Sequence, residues 1–113
     1  MEDSCVFCKI AGGEIAAKPV YRDDVVLAIE DVNPQAPVHL LVMPVRHHAN
    51  VGTMCDDDAV LGVRLLEVAS RLGRERGEGG FRIVINTGDS GGQTVGHLHL
   101  HVLAGRPMTW PPG

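Results

Sequence analysis

The sequence predicts a single α+β domain over residues 1–113, with about five mostly antiparallel strands, one long helix and one short helix. Three observations lead to that class. Short β-rich runs recur along the chain, punctuated by Gly, Pro and Asp. One stretch, Thr53 to about Arg76, carries apolar residues at helical spacing. A third run, Gly96-His97-Leu98-His99-Leu100-His101-Val102-Leu103, alternates imidazoles with apolar residues at a period of two.

In chain order, Ser4 is placed to cap a short helix from Cys5 to Ala11 that ends at Gly12-Gly13. Val20-Tyr21-Arg22 and Val25 to Glu30 flank Asp23-Asp24 and predict a hairpin. Asp31 to Pro37 reads as a loop, because its prolines fix φ and remove donors. A strand over Val38 to Met43 follows. Thr53-Met54-Cys55-Asp56 resembles a capping box, with Asp56, Asp57 and Asp58 suited to the positive end of a helix dipole. Leu61, Leu65, Val68 and Leu72 then mark one buried face; Arg71, Arg74 and Arg76 favour the carboxyl end, and Gly77 stops the helix. Gly62 within it costs about 1 kcal/mol relative to Ala, and reads either as a close approach to another element or second subunit or as a tolerated defect. Phe81 to Asn86 is a further strand, and the glycine-rich loop Thr87 to Thr94 leads into the histidine strand. Alternation implies one solvated face of the sheet, bearing His97, His99 and His101.

At 113 residues the chain can bury roughly two-thirds of its unfolded surface. Its 44% hydrophobic content, 21% charged content and net charge of −4 describe an ordinary soluble protein. No apolar run approaches the ~20 residues of a membrane span. Mild acidity argues against a nucleic-acid polymer or an anionic membrane as partner, since both need clustered Lys and Arg, but leaves room for a small phosphate ligand. Met1-Glu2-Asp3-Ser4 has no signal-like apolar core, which points to the cytoplasm. In that reducing compartment Cys5, Cys8 and Cys55 do not form a disulfide framework, and Cys5-x-x-Cys8 becomes a metal or redox candidate.

A lone strand histidine is ordinarily a half-buried residue satisfied by hydrogen bonds. Three in register are different, because an apolar strand gains nothing from desolvating adjacent imidazoles. Two chemistries use that spacing. His-x-His can hold a catalytic zinc that acidifies water, with His97, His99 and His101 as ligands. Alternatively one imidazole attacks phosphorus while its neighbours stabilise charge or protonate a leaving group. The preceding loop favours the second: Gly91 and Gly92 let backbone amides approach phosphate oxygens, and Gln93 and Thr94 add neutral donors.

Gly92-Gln93-Thr94-Val95-Gly96-His97-Leu98-His99-Leu100-His101-Val102-Leu103 resembles the signature of the histidine triad superfamily, His-φ-His-φ-His-φ-φ with φ hydrophobic. Phe7-Cys8-Lys9-Ile10, Asp31 to His39, Val42-Met43-Pro44, Gly105-Arg106 and Trp110-Pro111-Pro112-Gly113 extend the likeness to the branch of histidine triad nucleotide-binding proteins. The resemblance implies a homodimer whose sheet continues across the interface, and a purine nucleoside phosphoramidase acting on adenosine or guanosine 5'-monophosphoramidates and on acyl-adenylates. His99 would be the nucleophile and form a nucleotidyl-histidine that water opens, with no metal required. His101 would contact phosphate, His39 would orient or polarise the nucleophile, His97 would support it and Thr94 would stand near the leaving group. Asp31 would hold ribose hydroxyls; Phe7, Ile10, Ile15, Val32 and Leu41 would form the base pocket; Asn86, Gly92 and Gln93 would lie near the phosphate. Trp110 would reach across the dimer.

By the same resemblance Cys5 and Cys8 would bind a structural zinc with His47 and His97, with His48 as the alternative to His47. Three positions depart from close relatives: Gly96 replaces a larger residue, Thr94 stands where Ser is common, and Thr109 where some have His. They bear on leaving-group preference. Two other functions fit the same residues: a dinucleoside polyphosphate hydrolase or nucleotidyl transferase, and a nucleotide-binding scaffold dimer with slow turnover. A zinc hydrolase built on the three triad histidines is the reading least favoured.

Overall fold

Asp23 closes the first hairpin by accepting the Val25 and Val26 N–H groups on Oδ1 at 2.8 and 2.7 Å, joining β1 (Pro19–Arg22) to β2 (Val26–Glu30). The structure, a computed structural model, describes residues 4–113. With β3 (Val38–Pro44), β4 (Phe81–Ile85) and β5 (Leu100–Ala104) these strands form one five-stranded sheet in the order β1-β2-β3-β5-β4, every pairing antiparallel. The helix α2 (Val51–Arg76) covers one face: its Leu61, Leu65, Val68 and Leu72 pack on Val26, Ala28, Leu40, Val42, Leu98, Leu100 and Val102. Among the described residues no helix is long and apolar enough to cross a membrane.

The opposite face is not simply solvated, as the alternation led us to expect. α1 (Val6–Ala11) lies there, and its Phe7 and Ala11 form a second core with Leu27, Ile29, Leu41 and Met43. The signal is the continuous apolar lettering of Val26 to Ile29 and Leu40 to Met43, which marks strands covered on both sides.

Both helix starts differ from the sequence expectation. Cys5, not Ser4, caps α1, its Sγ accepting the Cys8 N–H at 3.4 Å. Asn50, not Thr53, caps α2: Asn50 Oδ1 accepts the Thr53 N–H at 3.0 Å, and Thr53 Oγ1 accepts the Asn50 N–H at 3.2 Å. Thr53 is thus the box's inner partner, and the first turn contains no acidic residue. The aspartates serve an internal start. At Asp58 the backbone leaves helical space (φ −153°, ψ 77°), and Asp58 Oδ1 accepts the Leu61 N–H at 3.3 Å, as an N-cap does for a new helical segment. Asp competes for backbone donors, so an aspartate run breaks a helix more readily than it continues one. Across that kink Gly62 meets Met54, whose Cε would lie 3.1 Å from a Cβ there, so the close approach at Gly62 is to its own helix.

β5 begins at Leu100, leaving His97 and His99 on the chain leading into it. The ladder with β3 ends at Val42↔Leu100. Beyond that pair, Pro44 has no N–H to offer, its carbonyl accepts from His97 Nε2 at 2.8 Å, and the Leu98 N–H turns to the His48 carbonyl at 2.7 Å. The period of two persists without the ladder. Leu98, Leu100 and Val102 enter the α2 core, while His97 and His99 meet the Phe7 ring on the other face at centroid distances of 5.7 and 5.1 Å.

Candidate active site and metal centre

β3 and β5 pair Leu41 with His101 and His39 with Leu103, which sets His39 and His101 diagonally on one face. His39 Nε2 lies 2.9 Å from His101 Nδ1 and 3.3 Å from Asp31 Oδ2. The other His39 nitrogen, Nδ1, accepts the Gln35 N–H at 3.0 Å. A ring nitrogen that accepts carries no proton, so neutral His39 is protonated on Nε2 and donates to His101 Nδ1, which leaves the His101 proton on Nε2. Neutrality is favoured at both rings. Burial lowers the His39 pKa, with Asp31 opposing. Burial, then His99 and His39, bring His101 down to about 4, again against Asp31.

His99 is 5% exposed, and its Nδ1–H donates to the His97 carbonyl at 2.8 Å. That bond places the proton on Nδ1 and leaves the Nε2 lone pair for an electrophile, the tautomer a nucleophilic imidazole needs. The ring stands edge-on to Phe7 and to His101, at centroid distances of 5.1 and 5.0 Å.

A cleft of about 1000 Å³ opens over these rings. Its lining brings together His39, His99, His101, Asp31 and Thr94 with the expected apolar residues Phe7, Ile10, Ile15, Val32 and Leu41. Val32 is fully exposed beside it. Ile29 and Lys18 also line the cleft, and sequence reasoning did not single them out; Lys18 Nζ is 3.3 Å from Glu30 Oε2. Asn86, Gly92, Gln93 and Trp110 lie outside the lining. The Gln93 amide, expected to face phosphate, instead donates to the Ala49 and Val95 carbonyls at 2.7 and 3.0 Å, and its Oε1 accepts the Gly88 N–H at 3.1 Å. It braces the loop. Gly92 has φ +85° and sits against the Asn86 side chain, and Trp110 is 84% exposed.

His97 faces away from this chemistry. Its Nε2–H donates to the Pro44 carbonyl, which leaves the Nδ1 lone pair 3.3 Å from Cys5 Sγ and 3.6 Å from Cys8 Sγ. Cys8 Sγ lies 3.4 Å from His47 Nδ1, and the four donor atoms fall within 4.8 Å of one another. A tetrahedral zinc with ordinary Zn–S and Zn–N bonds has S···N edges of roughly 3.6 Å, so the cluster fits a closed Cys₂His₂ shell. The Pro44 carbonyl is the outer partner that holds a ligating imidazole in register. His48 is not in the cluster; it is buried with Nε2 unpaired among the described residues.

Two other metal arrangements fail on geometry. The triad imidazoles do not converge, since their Nδ1 atoms address the cysteines, a carbonyl and His39 respectively. Asp31, His39 and His101 also gather within 4.8 Å, but the Gln35 N–H on His39 Nδ1 puts a proton on Nε2, where a metal would have to bind.

The buried imidazoles make stability fall with acid. Burial foremost, opposed by the Pro44 hydrogen bond, brings the His97 pKa down to about 4, as for His101. Unfolded, each returns to its ordinary 6.5. Between those values the unfolded chain binds more protons, so stability is full above pH 6.5 and drains away toward pH 4. At about 1.4 kcal/mol per unit, fully buried His97 accounts for on the order of 3 kcal/mol. Urea denaturation of chelator-treated protein at pH 7.5 and pH 4.5 is expected to show that loss. Equal midpoints would mean these rings are not held neutral.

A sequence profile described as HIT domain matches residues 12–108. A 14 kDa zinc-binding protein of Zea mays is 44% identical over 118 residues, covering 100% of this chain and 91% of the relative. The crystal structure of a HIT family hydrolase from Legionella pneumophila Philadelphia 1 superposes with a TM-score of 0.92 at 49% identity, covering 97% of this chain and 100% of that one. A Zn-bound histidine triad family protein from Mycobacterium smegmatis gives 0.84 at 33% identity, covering 97% and 80%. Profile, sequence and backbone agree over nearly the whole length, the matched span includes the alternating imidazoles, and this chain belongs to the HIT domain family, the histidine triad proteins.

Proposed function

We propose that this chain is a hydrolase, a purine nucleoside phosphoramidase that cleaves adenosine and guanosine 5'-monophosphoramidates through a nucleotidyl-histidine on His99. The observation that carries the proposal is the His99 hydrogen bond: Nδ1 is spent on the His97 carbonyl, which leaves Nε2 bare, and the ring lines a cleft of both apolar and polar residues. The purine would lie against Phe7, Ile10, Ile15 and Leu41, and Asp31 would accept the ribose hydroxyls. His99 Nε2 attacks the α-phosphorus, the P–N bond breaks, and the departing nitrogen takes a proton from solvent, which the hydrolytic water later returns, and leaves as an amine beside Thr94. His101 Nε2–H donates to a phosphate oxygen, supported by the proton His39 shares with it. Water then attacks phosphorus, releasing the nucleotide and restoring His99.

Zinc held by Cys5, Cys8, His47 and His97 would supply bracing and take no part in transfer. The relatives described as zinc-binding and Zn-bound support that assignment. A homodimer belongs to the same reading. β4 leaves one sheet edge open, and Val60, Val63 and Leu66 expose an apolar face of α2. Trp110, exposed and outside its own cleft, would reach the partner's. The thiol pair suits the reducing cytoplasm.

The deciding experiment compares wild-type kcat/KM on adenosine 5'-phosphoramidate with that on a diadenosine polyphosphate. A preference for the phosphoramidate of about 100-fold is expected, since a leaving group that mismatches its site costs rate on that scale. The reverse preference would make the chain a polyphosphate hydrolase or nucleotidyl transferase. Tight nucleotide binding with no turnover of either would make it a binding scaffold.

A further inference from the structure

The neutral His39–His101 pair has two self-consistent proton arrangements. In the one that the Gln35 contact implies, His39 carries its proton on Nε2 and His101 on Nε2. In the other, His39 is protonated on Nδ1 and accepts on Nε2 from His101 Nδ1–H, which strips the proton from His101 Nε2 and leaves no His39 proton facing Asp31 Oδ2, 3.3 Å away. The N–H of Gln35 selects between them, because it can approach His39 Nδ1 only when that nitrogen is bare.

Gln35 is exposed, in the loop between β2 and β3, and that loop has few donors to substitute for it: Pro34 and Pro37 lack N–H groups, and the Asn33 N–H is spent on Asp31 Oδ1 at 2.8 Å. What seats the loop comes from the far end of the chain. Arg106 Nε donates to the Gln35 carbonyl at 3.1 Å, while Arg106 Nη1 donates to the Pro107 carbonyl at 3.2 Å and steadies the guanidinium. Gly105, with φ +91°, turns so close to Pro37 that an added Cβ would lie 2.8 Å from the proline Cβ.

We propose that Arg106 is a positioning residue: by gripping the Gln35 carbonyl it keeps the Gln35 N–H on His39 Nδ1 and thereby holds the proton of His101 on Nε2. The kinetic part of this proposal rests on the phosphoramidase reading; the proton placement does not. The test is the long-range ¹H–¹⁵N imidazole spectrum at pH 7 of ¹⁵N-labelled wild type, Arg106→Met and Arg106→Lys, with His39→Asn to assign the ring. Wild-type His39 is expected to show the pattern of a proton on Nε2. Arg106→Met is expected to mix in the Nδ1–H form and to lower kcat roughly fivefold to tenfold with KM within about twofold, the scale of one exposed hydrogen bond. Arg106→Lys, which keeps a donor, is expected to restore most of both.

An unmixed Nε2–H pattern in Arg106→Met, or an Nδ1–H pattern in wild type, would overturn the proposal whatever the rates. Arg106→Ala reads the same way should the Met variant aggregate. If the spectra change as stated while wild type hydrolyses no phosphoramidate, the tautomer lock stands and the functional reading falls.

Discussion

His99→Ala is expected to lower adenosine 5'-phosphoramidate hydrolysis by at least about three orders of magnitude, the scale on which enzymes lose rate when a covalent nucleophile is removed. Nucleotide binding and thermal stability should change far less. Binding would draw on Phe7, Ile10, Leu41 and Asp31; of these Phe7 loses its edge contact with the His99 ring, and the cleft gains the volume of an imidazole. No neighbour can take over. His97 Nδ1 faces two cysteines and His101 Nδ1 accepts from His39, so neither ring presents the same lone pair at the same place. Single-turnover kinetics with wild type should also trap a nucleotidyl adduct on His99, readable by mass. Turnover within tenfold of wild type in the alanine variant would sink nucleotidyl-histidine chemistry.

The second large effect is on stability. Cys8→Ser is expected to take zinc from one per chain to near zero and to lower the melting temperature by about 10 °C, since losing a structural metal site removes several kcal/mol of folding free energy. The reason is connectivity. Cys5 and Cys8 lie at the start of α1, His47 follows β3 and His97 precedes β5, so one ion would tie together three segments that meet through few other bonds. The same tie reaches the chemistry, because the His97 carbonyl holds the His99 proton. Turnover should therefore fall severalfold in Cys8→Ser, with the loss mostly in kcat. Metal analysis beside calorimetry checks both statements; wild-type protein purified without zinc and with unchanged stability would defeat the assignment.

How far the sequence could be read depended on the kind of feature. Strand and helix order followed from periodicity, and each predicted element is present. Caps were misplaced because Ser4, Cys5, Asn50, Thr53 and Asp58 are all plausible donors' partners, and only backbone angles show which residue leaves helical space. The solvated-face expectation came from the histidine run alone, whereas β2 and β3 carry the unbroken apolar letters that betray burial on both sides. Gln93 matched a phosphate donor by residue type, but loop closure placed Ala49 and Val95 carbonyls within its reach first.

By itself the sequence determined which residues could do chemistry and on which side of the sheet they fall, because side-chain type and a period of two are local properties of the chain. Tertiary structure alone decided where the protons sit. The nitrogen that carries hydrogen in His39, His97 and His99 is chosen by the Gln35 N–H and by the Pro44 and His97 carbonyls. Those are backbone groups, identical in kind at nearly every position. Only folding brings a particular one to a particular ring, and with it the difference between a lone pair turned to two thiols, a lone pair left bare and a hydrogen-bond donor.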